Sequence, residues 1–320
     1  MVMAQRKNSQ TPLNGVVKSY NGTANGAPNE PSEGPTTTYQ ESLAKVPWQT
    51  DNDYILTGYR RQLPSLAACV KSAFGYLHNE TVNIHTHSLG ALVFLVMIPL
   101  HLFPTHFPFA SDPLPTPPTL HDKVAIGLNL LCAVTCLSLS SWFHTVQCHS
   151  KATCDLAHCG DYVGIVVLTT GTIVPGMYYA FYDQPVLRVV YMTAIIAAGV
   201  GAAYVVLSPH HRAHRWHRTQ VFIALGLSAV FPMAHVVIAK GTEYARQVVS
   251  LDLVVAGGAS YIFGAVLYAA RFPERLSPGT FDYFGASHQI FHCFVLLGAA
   301  LQYMALRGMV WGRAMALGPL

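Results

Sequence analysis

The chain has 320 residues, of which 11% are charged and 52% hydrophobic, with a mean hydropathy of +0.34. Ordinary soluble proteins carry roughly 25% charged residues, so this is a membrane composition. The formal charge of +4 is small and no Lys/Arg block interleaves with aromatics, which excludes nucleic acid as a partner; seven cysteines, odd in number and mostly inside apolar runs, exclude a secreted disulfide scaffold.

Residues 1–47 are rich in Asn, Gly, Pro, Ser and Thr and lack an apolar run, which predicts a disordered tail. No apolar h-region lies near the first methionine, so the first span is expected to direct membrane insertion itself. Residues 48–83 read as a juxtamembrane amphipathic segment. Within it, residues 63–77 follow Arg60 and Arg61 and are apolar apart from Lys71, which predicts an interfacial helix. Residues 84–320 read as a transmembrane domain of seven helices. Spans of about 20 apolar residues, long enough to cross roughly 30 Å of hydrocarbon, are expected near 84–103, 124–146, 160–181, 186–207, 219–239, 248–270 and 285–305.

An odd number of spans puts the termini on opposite sides of the membrane. A cytoplasmic N-terminus places Arg60, Arg61, Lys71, Lys151, Arg212, Arg215, Arg218, Arg271 and Arg275 inside, against Lys123, Arg188, Lys240, Arg246, Arg307 and Arg313 outside. The basic excess on the inner side predicts that orientation, in the plasma membrane or the endoplasmic reticulum. Pro99, Pro175 and Pro232 are expected to kink helices or open a cavity, and the run Gly257 to Ser260 to allow close helix packing.

Ionisable side chains inside a span are costly and mark functional positions. Glu80, Asn83 and His87 fall at i, i+3 and i+7 leading into the first span, on one helical face. Ser140 and His144 stand four apart near the end of the second, Asp161 at the start of the third, and His288 and His292 four apart at the start of the seventh. Odd spans start on the N-terminal side and even spans finish there, so all four sets belong at one membrane depth. An H-x3-H pair by itself reads as two buried, hydrogen-bonded histidines. A third histidine and an intramembrane Asp at matching depth change that reading. Three neutral imidazoles with an open fourth position are a catalytic zinc arrangement, although other first-row metals also accept imidazole.

These motifs, E-x2-N-x3-H, S-x3-H with a later Asp, and H-x3-H, resemble in order and spacing those of the progestin and adipoQ receptor family. That family is related to haemolysin III proteins and more distantly to alkaline ceramidases. The likeness covers about Tyr59 to Tyr303 and includes the words TGYR, HNETVNIHTH, DYVGI and SHQIFH. It implies a seven-helix bundle with a cytoplasmic N-terminus and a zinc ion near the inner leaflet. His144, His288 and His292 would be its ligands, Asp161 would hold the zinc-bound water, and Ser140 would lie close by. Members of the family are described both as receptors and as ceramidase-like hydrolases. The expected function is therefore a zinc-dependent hydrolase acting on the amide bond of a ceramide-like lipid and releasing a fatty acid. Asp161 and Ser140 would be catalytic, and Glu80, Asn83 and His87 would form a hydrogen-bond network behind the ligands. The alternatives are a seven-helix receptor for an extracellular ligand, with structural zinc, and a regulator of zinc, sterol or lipid homeostasis.

Weaker signals read as ordinary structure. His210, His211, His214 and His217 lie in a basic inner loop; Cys148, Cys154 and Cys159, with His149 and His158, surround a turn and read as free cytosolic cysteines; His85 points away from the face of His87.

Overall fold

A computed structural model describes residues 34–102, 118–208 and 215–317. Apart from one short β-ladder, the regular elements of the described residues are helices, and seven helical spans among them are long and apolar enough to cross a membrane. The first four are α3 (Thr81–Leu102), α4 (Leu120–Val146), α5 (Lys151–Ala180) and α6 (Pro185–Leu207). The fifth is built from α7 (Arg215–Leu227) and α8 (Val230–Lys240); after the short α9 (Thr242–Val249) come α10 (Leu251–Ala270) and α11 (Ser287–Leu317).

Several span boundaries differ from those expected, and caps explain the difference. The second span starts at Leu120 because Thr119 and Asp122 form a reciprocal capping box. The third starts at Lys151, nine residues before the expected position, because the Ser150 side chain accepts from the Thr153 amide and Lys151 pairs with Asp155 one turn on. Asp161 thus lies ten residues into the helix and not at its start. The fifth span breaks at Ser228 and Ala229: Pro232 has no N–H to offer the Ser228 carbonyl four residues back. The seventh continues to Leu317, twelve residues beyond the expected end.

The helices close into a ring, α3 on α4, α4 on α5, α5 on α6, α6 on α7, α7 on α10 and α10 on α11. Helix α11 completes it, packing on α3, α4 and α5 as well. Polar bonds join neighbours inside the bundle, among them Ser88 to Ser141 (2.6 Å) and Ser260 Oγ to the Phe294 carbonyl (2.9 Å). Gly257 and Gly298 set the close approach of α10 and α11: a Cβ on either would stand 2.7 Å from Gln302 or from the Tyr261 ring. Gly258 faces open space instead. At the bundle end opposite the N-terminal side, buried Asp122 accepts from Arg313 (2.6 Å) and Tyr179 (2.7 Å), tying the seventh span to the second and third. The outer faces expose Leu89, Val93, Val200, Phe231, Ile238 and Phe263, a surface suited to lipid.

Part of the expected tail is ordered. Residues 1–33 lie outside the described residues, but β1 (Thr36–Thr37) pairs antiparallel with β2 (Tyr59–Arg60), and α1 (Tyr39–Lys45) is capped by Thr38. This long-range pairing is absent from any local composition. A helix, α2 (Leu66–Gly75), stands where the interfacial helix was expected, capped by Ser65 and held to α3 where His85 Nε2 meets the Ala73 carbonyl at 2.8 Å. Cys69 on α2 and Cys148 beyond α4 are both buried with sulfurs 3.6 Å apart, a contact that draws the Cys69 thiol down to about 7. Of the loop histidines, His210, His211 and His214 lie outside the described residues.

Candidate metal centre

The parity of the spans brings together the residues it was expected to bring together. His144 stands in the last turn of α4, and His288 and His292 in the first turns of α11. Their ring centroids form a nearly equilateral triangle of 4.8, 4.9 and 4.9 Å, and the nitrogens that can serve as ligands all lie within 4.8 Å of one another.

Two of the three imidazoles are oriented by bonds on the far side of the ring. His144 Nδ1 meets Glu80 Oε2 at 2.7 Å, and Nε2 is buried with no protein partner. His292 Nδ1 lies 3.1 Å from the Asn83 carbonyl oxygen. A ring that donates through Nδ1 offers its Nε2 lone pair, the usual arrangement of a metal-binding histidine with a carboxylate or carbonyl behind it. Asn83 also donates to Glu80 Oε2 at 2.7 Å. The orphaned Nε2 of His144 and the all-nitrogen donor set fit a metal ion, and three ligands leave a tetrahedral position open. Glu80 and Asn83 thus bond to each other and to two of the three imidazoles. His87 stacks on His292 at 3.6 Å and 8°, and neither of its buried ring nitrogens has a protein partner.

Asp161 on α5 and Ser140 on α4 are both buried. Both line a cavity of about 670 Å³, which His87, His288 and His292 also line. Away from the histidines its wall is mostly apolar down to Met177 and Met309, with Thr169, Thr172, Arg218 and Gln302 among the exceptions, and the break in the fifth span contributes Gly226, Ala229 and Val230. From Asp161 to Met177 the cavity follows α5 for about 24 Å, against roughly 30 Å of hydrocarbon thickness.

Other residues that build the centre carry no motif. Arg60 is fully buried and caps the C-terminus of α4, donating to the Thr145 carbonyl (2.9 Å), the His144 carbonyl and Ser72 Oγ (3.0 Å). Glu274, also fully buried, caps the N-terminus of α11: it accepts from the Ser287 amide (2.8 Å), the Ser287 hydroxyl and Asn52 (2.9 Å). Gln289 fixes the same turn, donating to the Asn79 and Tyr283 carbonyls and accepting from the Gly285 amide. In the sequence Arg60 counts as one basic residue near a membrane face and Glu274 as a loop acid. Only an acidic residue shortly before a helix start would have pointed to the second.

A bundle of seven apolar helices enclosing a buried three-histidine group defines a multi-pass membrane protein with a candidate metal centre inside it. The model of the haemolysin-III-related family matches residues 75–303, and the chain belongs to this family, which includes the progestin and adipoQ receptors. It is 38% identical over 84% of its length to the adiponectin receptor protein of Drosophila melanogaster, of which the match covers 59%. It is 36% identical over 79% of its length to an ADIPOR-like receptor of Saccharomyces cerevisiae, covering 78% of that protein. Progestin and adipoQ receptor family member 3 of Homo sapiens is 31% identical over 77% of this chain and is covered to 78%.

Proposed function

We propose that the protein is a zinc-dependent hydrolase of ceramidase-like type, cleaving the amide bond of a sphingolipid-type substrate whose acyl chain occupies the apolar cavity. One observation carries this reading: Asp161, Ser140 and two histidines of the triangle, His288 and His292, line a cavity whose remaining wall is mostly apolar. A zinc ion held by His144, His288 and His292 would supply a Lewis acid for the amide carbonyl and for a water molecule. Imidazole ligands and redox inertness favour zinc over other first-row metals.

Asp161 takes one proton from the attacking water as its oxygen bonds to the carbonyl carbon. It returns that proton to the nitrogen as the C–N bond breaks, giving a fatty acid and an amine. Ser140 donates its hydroxyl proton to the oxygen that gains charge. Glu80 and Asn83 keep His144 and His292 in register, and His87 fixes the plane of His292 by stacking. We place the N-terminus in the cytoplasm, on the basic excess of the loops, and the protein in the plasma membrane or endoplasmic reticulum. The relatives named as receptors support a second reading, a receptor for an extracellular ligand in which the metal is structural.

Fatty acid release from a ceramide-like amide by purified protein separates the two readings. Asp161→Asn keeps size and polarity but removes the base, so zinc stays bound and turnover falls about 10²-fold or more. Wild-type protein with no turnover above a zinc-stripped control, over a panel of acyl lengths, would leave the receptor reading in place.

A further inference from the structure

A second, much smaller pocket reaches one of the same histidines, His288. Its volume is about 50 Å³, room for a few water molecules at about 10–15 Å³ each. Asp51, Glu80, Asn83, Asp282, Tyr268 and His288 line it, between the N-terminal segment and the start of α11. His288 and Tyr268 also line the large cavity, so these two side chains stand between the two spaces. The edge of the Tyr268 ring lies against His288, with centroids 4.9 Å apart at 83°.

The two spaces have opposite electrical character. Three carboxylates line the small pocket, and no Lys or Arg among the described residues does so. Glu80 is held by His144 and Asn83, and Asp282 by the Leu56 amide and the Thr57 hydroxyl, so these negative charges are fixed in place. Asp51 stands at the exposed rim. Asn83 is 4% exposed, gives its Nδ2 to Glu80 and keeps an Oδ1 with no protein partner, an oxygen ready for a water or a cation. The large cavity is apolar, and its charged lining residues are Asp161 and Arg218.

We infer that the metal ion reaches and leaves His144, His288 and His292 through this acid-lined pocket, while the apolar cavity is kept for lipid. The inference rests on the metal reading above. A divalent cation approaching past Asp51 meets attractive charge and oxygen atoms that replace its water stepwise. Approach through the large cavity would strip its hydration against hydrocarbon, with a guanidinium in the wall. Charge-lined openings raise ion association rates about 10- to 10³-fold, so the carboxylates act on rate and leave the ligand set alone.

The full-length protein in lipid nanodiscs provides the test. Zinc content at saturation is measured first, then the rates at which a soluble chelator strips the ion and Zn²⁺ reloads it. Asp51→Lys should reach wild-type content but load about tenfold more slowly, Asp51→Asn should fall between, and Arg218→Gln should load as wild type. Higher ionic strength should slow loading of wild type more than of Asp51→Lys. Wild-type loading in both Asp51 variants, or faster loading in Arg218→Gln, overturns the route. Absence of zinc from wild type at saturation overturns the metal reading itself and appears in the content measurement, not in the rates.

Discussion

Glu80 lies one residue before the first span, yet its carboxylate sets the orientation of a histidine 64 residues away. Glu80→Gln keeps the shape and removes the charge that raises the basicity of His144. Metal affinity should fall about 10- to 100-fold, read by competition with a chelator, and an unchanged affinity would reduce Glu80 to a packing residue. The E-x2-N-x3-H spacing made the shared face of Glu80 and Asn83 legible, because a helix converts spacing into direction. The role of His87 was not legible: it depends on a ring that arrives from His292, at the far end of the chain. Arg60 and Glu274 were hidden for the same reason. A charge in a loop shows its sign in the sequence, but nothing local says that it will be fully buried against a helix end.

The spans themselves were readable, since about 20 apolar residues leave a helix few alternatives in lipid, where every backbone group must be satisfied internally. Their ends were less so. Hydropathy cannot see the Thr119–Asp122 capping box or the Ser150 cap, each worth about 1 kcal/mol, which extend α4 and α5 into polar sequence. The order in residues 36–47 was missed because β1 finds its partner more than twenty residues on, at Tyr59 and Arg60. The side of the membrane from which α3 starts has a direct readout. Asn21-Gly22-Thr23 and Asn79-Glu80-Thr81 are glycosylation sequons on the side assigned to the cytoplasm. Neither should carry sugar in cells; a glycosidase-sensitive mass on Asn21 would reverse the orientation.

Across the whole molecule, the connectivity of seven spans decides which residues share a depth, and helix packing decides which of them touch. Parity alone placed the end of the second span and the start of the seventh at one face. The contact of α11 with α3, α4 and α5 turned that shared depth into a triangle of histidines. The cavity beside it was legible only as prolines in the wrong place for a straight helix, among them Pro232. The claim on which the rest depends is that this triangle holds a metal ion. Elemental analysis of purified protein is the direct test: the three-histidine site should give about one zinc per wild-type chain, and that zinc should be lost in His144→Ala, His288→Ala and His292→Ala variants that still assemble in the membrane. Zinc content unchanged by all three substitutions would contradict it.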